Sequence, residues 1–260
     1  MDNKPATRVE IRGAVGLITL DRPETRNALG RDVSTGLHHA LLDLAADTNV
    51  RVIVLTGAGG AFSAGADLKE GLPEFHRVED MINSRYRPSL ELITGMDKPV
   101  IAAVAGPAAG IGMSFALACD LVVMAENAFL LAPFSTIGLI PDGGATWFLA
   151  RRLGYHRAYQ LCIEAERIPA SVCLETGLVN RVVPDGELLA EAVSWAESLA
   201  QRAPLALAGT KQAMRQAMQL SLGETIGLEA RIQNSRARSD DCREGVAAFL
   251  ARRKPEFKGH

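Results

Sequence analysis

The sequence predicts an α/β protein whose C-terminal part is entirely helical. Over the first two-thirds of the 260 residues, short β-branched runs bounded by turn residues alternate with amphipathic stretches. From Leu188 onward these runs stop, and apolar residues recur at helical spacing. Apolar residues make up 48% of the chain and charged residues 22%, which is typical of a globular protein with a large core.

Five short segments are predicted to be buried strands because each is rich in Val, Ile and Leu and ends at turn residues. They are residues 9–11, 16–20, 52–56, 100–104 and 121–123. A helix with Leu37, Leu41 and Leu44 on one face, behind a capping region at Asp32 and Ser34, separates the second from the third. This alternation indicates βαβ units and a parallel sheet.

The length fits one large unit with an appendage. We expect a core domain of residues 1–190 followed by a helical C-terminal module of residues 191–260. The first 13 residues carry charges of both signs and no apolar signal segment, so we expect a cytoplasmic protein.

Composition and charge argue against several classes of partner. Lys and Arg number 28 against 30 Asp and Glu, without a basic block, so nucleic-acid binding is not expected. The four cysteines show no CxxC spacing, and we expect no metal site. The uncharged segment 99–119 has the length of a membrane span, but its three glycines and Pro107 favour a buried strand followed by a buried helix. We therefore expect no membrane association.

Two glycine-rich turns, residues 56–68 and 105–112, each follow a predicted strand and precede a helix-compatible stretch. Neither has the spacing of a dinucleotide fingerprint or a P-loop. Exposed backbone N–H groups at two such turns can bind one carbonyl oxygen and stabilise it as it becomes negative, as thioester chemistry requires. Ser63 lies in a sequence like a nucleophile elbow without its first glycine, and a small residue at a tight turn is the better interpretation.

Four segments occur in the order seen in the enoyl-CoA hydratase/isomerase (crotonase) family, which the chain resembles over nearly its whole length. They are residues 22–29 (RPETRNAL), 61–70 (AFSAGADLKE), 98–106 (KPVIAAVAG) and 138–144 (GLIPDGG). The resemblance implies the crotonase (ClpP-like) fold, a spiral of ββα turns with a helical C-terminal trimerisation module. It also implies a homotrimer or a hexamer made of two trimers, and an acyl-CoA substrate. No separate cofactor is implied, because coenzyme A enters as part of the substrate.

The resemblance also implies the site. By position, the N–H groups of Ala66 and Ile111 would form an oxyanion hole for the thioester carbonyl. The positions that match the coenzyme A and acyl cleft are Arg26, Ala28, Ala64, Asp67, Leu68, Lys69, Ala109, Ser114, Pro133, Phe134 and Lys254. Arg26 and Lys69 are equally explained as solvated surface charges, and Asp67 as a turn acceptor.

The sequence departs from the hydratase pattern at two positions. Hydratases of this family use two glutamates to hold and activate water, whereas this chain has Ser114 and Phe134 there. Neither side chain acts as a general base near neutral pH, which argues against ordinary hydration.

Asp142 is the remaining candidate acid. It matches the position where isomerases of the family carry their single acid/base and where a dehalogenase branch carries a nucleophile. It could instead cap the N-terminus of a helix running from Gly143 toward Leu153. The two roles conflict, because a helix N-terminus lowers a carboxyl pKa while proton abstraction is helped by a raised one. Desolvation by Phe134 and Trp147 is one way to resolve the conflict.

We predict an enoyl-CoA double-bond isomerase with Asp142 as acid/base. The alternatives are an enoyl-CoA hydratase, or an acyl-CoA hydrolase or dehalogenase, with an unrecognised base. An alternative from another class is a non-catalytic acyl-CoA-binding oligomer that kept the cleft and lost both glutamates.

Overall fold

A six-stranded sheet lies at the centre of the protein, whose computed structural model describes residues 4–70 and 77–260. In spatial order its strands are β1 (Thr7–Arg12), β2 (Val15–Leu20), β3 (Val52–Gly57), β4 (Val100–Val104), β6 (Leu121–Ala125) and β9 (Arg181–Val183). β1 pairs with β2 antiparallel, and every other pairing is parallel. Strands β2, β3 and β4 are almost wholly buried, as is usual for parallel strands covered on both faces. The five predicted strands are confirmed.

A second, three-stranded sheet holds the glycine-rich turns together. Its strands are β5 (Pro107–Ala109), β7 (Phe129–Leu131) and β8 (Ile168–Pro169). Ser63, in the first turn, forms a parallel bridge with Ala108 in β5. These strands are two or three residues long, too short for an alternation of apolar and polar residues to predict them.

Seven helices accompany the strands in the described part of residues 1–187. They are α1 (Arg31–Ala46), α2 (Val78–Met81), α3 (Arg87–Gly95), α4 (Ile111–Ala118), α5 (Ala145–Leu153), α6 (Tyr155–Glu164) and α7 (Ala170–Glu175). A π-helical turn, Ile82–Tyr86, joins α2 to α3, and 3₁₀ turns cover Pro23–Thr25, Pro133–Ile137 and Asp185–Glu187.

The face predicted for α1 is confirmed, since Leu37, Leu41 and Leu44 are buried. The N-cap residue is Gly30, outside the predicted capping region. The Glu70 carboxylate accepts from the N–H of Arg31 (2.8 Å), and the Asp32 carboxylate accepts from the N–H of Val33 (2.7 Å). Asp32 and Ser34 lie within the first turn instead.

Four helices follow the last strand: α8 (Leu188–Ala200), α9 (Pro204–Ala217), α10 (Leu222–Arg236) and α11 (Asp240–Leu250). The all-helical C-terminal part is thus confirmed, while the division at residues 190 and 191 stays a prediction.

Segment 99–119 contributes β4, β5 and α4. Across residues 4–70 and 77–260, no helix combines the length and apolar character needed to cross a bilayer.

A half-buried ionic cluster attaches α9 to the core. Asp120 forms ion pairs with Lys211 (2.8 Å) and Arg215 (3.0 Å). The Lys211 ammonium also donates to the carbonyls of Ile93 and Lys98, so its charge is surrounded by acceptors. Burial nevertheless lowers the pKa of Lys211, although Asp120 opposes this effect.

Candidate active site

A cavity of about 100 Å³ brings together most of the predicted site residues. Those in its wall are Ala64, Ala66, Asp67, Leu68, Ile111, Pro133, Phe134 and Asp142. They come from the first glycine-rich turn, the start of α4, the 3₁₀ turn after β7 and the loop before α5. The two glycine turns and the predicted acid therefore face one small space.

The first turn presents the N–H of Ala66. The Gly65 carbonyl accepts a hydrogen bond from the N–H of Leu29 (2.7 Å), and the N–H of Ala64 donates to the Arg26 carbonyl (2.9 Å). The N–H of Ala66 itself finds no acceptor in the described parts of the chain. A bond to the carbonyl of a peptide group polarises that group, so the Gly65–Ala66 amide is prepared to donate to a ligand.

Ser63 supports this turn from inside. Its side chain is fully buried; the hydroxyl donates to the Asn27 carbonyl (2.8 Å) and accepts from the N–H of Gly65 (3.2 Å). The interpretation of Ser63 as a small residue at a tight turn is thus supported, because the hydroxyl is occupied by backbone groups.

Asn27 fastens the segment before α1 to the same turn. Its φ of 56° is in the left-handed region, as is the φ of 52° at Arg26. The Asn27 side chain accepts from the N–H of Arg22 (2.8 Å) and donates to the carbonyls of Ala58 (2.9 Å) and Ala61 (2.7 Å). These bonds offset the strain of two consecutive left-handed residues.

The second turn presents the N–H of Ile111. Ile111 is the first residue of α4, where a helix has no internal acceptor for its N–H groups. The preceding Gly110 has a φ of 54°, donates to the Leu131 carbonyl (2.9 Å) and accepts from the N–H of Met113 (3.0 Å). No acceptor for the Ile111 N–H lies in residues 4–70 or 77–260.

The two turns pack directly against each other. A Cβ on Gly65 would lie 2.8 Å from the Ala109 carbonyl oxygen, and one on Gly112 would lie 2.7 Å from the Cβ of Ser63. Only glycine leaves room for this approach, which fixes the spacing between the two free N–H groups.

Asp142 does not cap α5. The N-cap residue is Gly144, with a φ of 83°, and Gly143 before it has a φ of 58°. This left-handed pair turns the chain between Asp142 and the helix, so Asp142 lines the cavity instead of capping the helix. The capping interpretation is wrong for this reason. The predicted end of α5 at Leu153, followed by Gly154, is confirmed.

The Asp142 carboxyl is desolvated. Its Oδ1 atom is buried without a hydrogen-bond partner in the described residues. Burial raises the pKa of Asp142 to about 6, against a smaller lowering by a backbone hydrogen bond. Phe134, 7% exposed, contributes to the apolar wall. Trp147 lies elsewhere, in the wall of a larger neighbouring cavity of about 600 Å³ behind Gly143 and Gly144.

Of the two positions that carry glutamate in hydratases, Phe134 lies in the cavity wall and Ser114 does not. Ser114 is fully buried and its hydroxyl donates to the backbone carbonyl of Asp142 (2.9 Å).

Asp67 is the other acidic residue of the cavity wall, and its Oδ1 accepts from the N–H of Lys69 (2.9 Å). Asp67 thus makes the turn contact expected of it, while Oδ1 of Asp142 has no partner in the part of the chain that the structure describes.

Besides Ser114, five residues assigned to the cleft lie outside this cavity wall. Arg26, Lys69 and Lys254 are exposed, Ala28 is half-buried and Ala109 is buried in β5. Their contacts with coenzyme A stay predictions.

Six further residues line the cavity and were not predicted individually: Gly65, Val78, Met81, Gly110, Ile137 and Leu139. Val78 and Met81 belong to segment 72–89, of which residues 72–76 lie outside the described residues. The glycines could have been found from the two turns. The apolar residues carry no signal that separates them from ordinary core positions.

Comparison with known proteins gives consistent results. Residues 10–260 match the family model described as enoyl-CoA hydratase/isomerase. A protein named probable enoyl-CoA hydratase from Rhodobacter capsulatus is 40% identical over 97% of each chain. A 1,2-epoxyphenylacetyl-CoA isomerase from Escherichia coli is 36% identical over 96% of this chain and 97% of that one. The crystal structure of an enoyl-CoA hydratase from Bacillus anthracis superposes with a TM-score of 0.94 at 34% identity, covering 98% of this chain and all of that one.

Proposed function

We propose that this chain, which belongs to the enoyl-CoA hydratase/isomerase (crotonase) family of acyl-CoA enzymes and has its fold, moves the double bond of an enoyl-CoA instead of adding water to it. One observation carries the proposal. Asp142, whose Oδ1 atom is buried without a hydrogen-bond partner among the described residues, lines the same cavity as Ala66 and Ile111. The positions of the two hydratase glutamates hold Ser114 and Phe134.

The first step is removal of a proton from C2 of a 3-enoyl-CoA. The thioester oxygen accepts hydrogen bonds from Ala66 and Ile111, which makes the C2 hydrogens more acidic. The Asp142 carboxylate takes one of these protons, the C2–H bond breaks, and its electron pair enters a dienolate whose negative charge lies on the thioester oxygen.

The second step returns the proton at C4. Asp142, now protonated, donates to C4, the double bond forms between C2 and C3, and the thioester carbonyl is restored. Atoms and electrons balance without water, an oxidant or a further group. The reaction as proposed therefore requires no cofactor beyond the coenzyme A of the substrate.

The raised pKa suits Asp142 to both steps. With a pKa of about 6, the carboxyl is ionised at neutral pH and yet basic enough to hold a proton between the two steps. An apolar neighbour such as Phe134 helps to keep water away from the dienolate.

Exposed apolar side chains support assembly into a trimer or hexamer. Leu222, Phe249 and Leu250 on α10 and α11 are 78%, 82% and 75% exposed, as expected for residues that a partner subunit would cover. We therefore propose assembly into a homotrimer or a hexamer made of two trimers. A location in the cytoplasm is also part of the proposal.

Hydration is the second candidate, favoured by relatives that are named hydratases. The two reactions separate when the purified protein is given 3-enoyl-CoA and 2-enoyl-CoA of equal chain length in H₂¹⁸O, with the products analysed by mass spectrometry. Isomerisation gives a product of unchanged mass, so the 3-enoyl-CoA and 2-enoyl-CoA isomers are separated by chromatography before the mass measurement. Faster formation of ¹⁸O-labelled hydroxyacyl-CoA would overturn the proposal, release of an ¹⁸O-labelled acid would indicate a hydrolase, and binding without turnover would favour the non-catalytic alternative.

A further inference from the structure

The hydroxyl of Ser114 connects the two halves of the site. Ser114 lies on α4, in the turn that follows Ile111, and donates to the backbone carbonyl of Asp142 at 2.9 Å. The same carbonyl accepts from the N–H of Ala145 at the start of α5 (3.0 Å). The backbone of Asp142 is therefore held between the helix that supplies an oxyanion N–H and the helix that follows the acid.

A second contact presses the same loop against α4. A Cβ on Gly143 would lie 2.1 Å from Cδ1 of Ile111 and 3.0 Å from the Cβ of Ser114. The absence of that Cβ allows the loop to approach closely enough for the Ser114 hydrogen bond to form.

The carboxyl of Asp142 depends on this backbone hold. Its Oδ1 atom has no hydrogen-bond partner among the described residues, so no contact at this oxygen fixes its direction. Small movements of a catalytic group change rates strongly, because proton transfer requires a defined approach to the substrate carbon.

We propose that Ser114 is a positioning residue for proton transfer: it holds the backbone of Asp142 against the first turn of α4 and so keeps Asp142 in the wall of the cavity that Ile111 also lines. The role rests on the proposed function of Asp142 as acid/base. Ser114 acts through Asp142 and does not itself exchange protons with the substrate.

The test compares Ser114→Ala and Ser114→Cys with a matched control, Thr56→Val. Thr56 is also buried and donates to a backbone carbonyl, that of Ala103, at 2.8 Å, but within the central sheet. For isomerisation we expect kcat to fall about tenfold or more in Ser114→Ala with KM changed by less than about twofold. The kcat of Ser114→Cys, whose thiol is a weak hydrogen-bond donor, should lie between those of the parent and Ser114→Ala. Thr56→Val should lose thermal stability and retain kcat.

A second measurement is independent of turnover. The ¹³C signal of the Asp142 carboxyl, assigned by its loss in Asp142→Asn, is titrated with pH in the parent and in each variant. A loosened loop admits water, so the pKa of Asp142 should fall toward its ordinary value in Ser114→Ala and stay unchanged in Thr56→Val. The acid limb of the kcat profile should move to lower pH in parallel.

If the pKa of Asp142 in Ser114→Ala equals that of the parent, or if it shifts by the same amount in Thr56→Val, the positioning role is wrong. If the parent does not isomerise enoyl-CoA, the proposed function fails, and the titration still decides whether Ser114 holds Asp142.

Discussion

The two halves of the site are built differently. The oxyanion half consists of backbone, and the hydrogen bonds of Leu29, Ser63 and Asn27 occupy the polar groups around it. The acid half is one side chain, Asp142, on a loop with two left-handed glycines, and its buried Oδ1 has no partner in residues 4–70 and 77–260. Under the proposed function, the first half stabilises the enolate of an acyl-CoA, whereas the second decides where a proton goes. Reaction type should therefore depend on the acid half and thioester activation on the backbone half.

The largest expected effect is on the acid half. Asp142→Asn keeps the size of the side chain and removes the base, so kcat for 3-enoyl-CoA isomerisation should fall by about 10³-fold with KM nearly unchanged. Steady-state kinetics measures both. A variant that retains more than about a tenth of the parental kcat would show that another group moves the proton.

The backbone half is tested by Gly65→Ala. The new Cβ would meet the Ala109 carbonyl oxygen at 2.8 Å, and the φ of 100° is unfavourable for alanine, so the Ala66 N–H should be displaced. Loss of one oxyanion donor should lower kcat by about 10²-fold.

Gly177→Ala is the matched control for this change. Gly177 has a φ of 73° and no neighbour within 4 Å of a new Cβ. The Gly177→Ala substitution should lower the free energy of unfolding by about 1 kcal/mol through backbone strain and leave kcat unchanged. Equal kinetic losses in the two variants would contradict the assignment of the Ala66 N–H.

The pH dependence should be set by the acid half. The proposed isomerisation requires ionised Asp142, whose pKa burial raises to about 6. We expect kcat to be constant above about pH 7 and to fall about tenfold per pH unit well below the pKa. A profile without an inflection between about pH 5 and pH 7 would mean that Asp142 does not control the step.

The smallest effect concerns stability. A carboxyl whose pKa is higher in the folded protein than in the unfolded chain binds protons more tightly when folded, so stability falls as pH rises from about 4 to about 6. Asp142→Asn removes this cost and should gain about 1 kcal/mol at about pH 7.5, after allowance for partial solvent exposure, with the gain vanishing near about pH 4. Urea unfolding at both pH values measures it.

The sequence was sufficient for the parts of the molecule that repeat a local pattern. The buried strands, the apolar face of α1 and the C-terminal helices follow from the spacing of their apolar residues. The strands of the second sheet were too short to show such a pattern.

The resemblance supplied the candidate site, but not the direction of the Asp142 side chain. That direction depends on the left-handed conformations of Gly143 and Gly144, which separate the residue from α5. Val78, Met81, Ile137 and Leu139 reach the cavity only through tertiary packing. No local spacing in the sequence distinguishes them from core residues.

Solvent exchange tests the central claim most directly. In D₂O, ¹H NMR follows the C2 and C4 hydrogens of a 3-enoyl-CoA with the parent protein and with Asp142→Asn. The proposed function predicts that the parent introduces deuterium while the double bond moves, and that Asp142→Asn loses both exchange and migration while still binding the thioester. Undiminished exchange in Asp142→Asn, or addition of water at C3 by the parent without migration of the double bond, would contradict it.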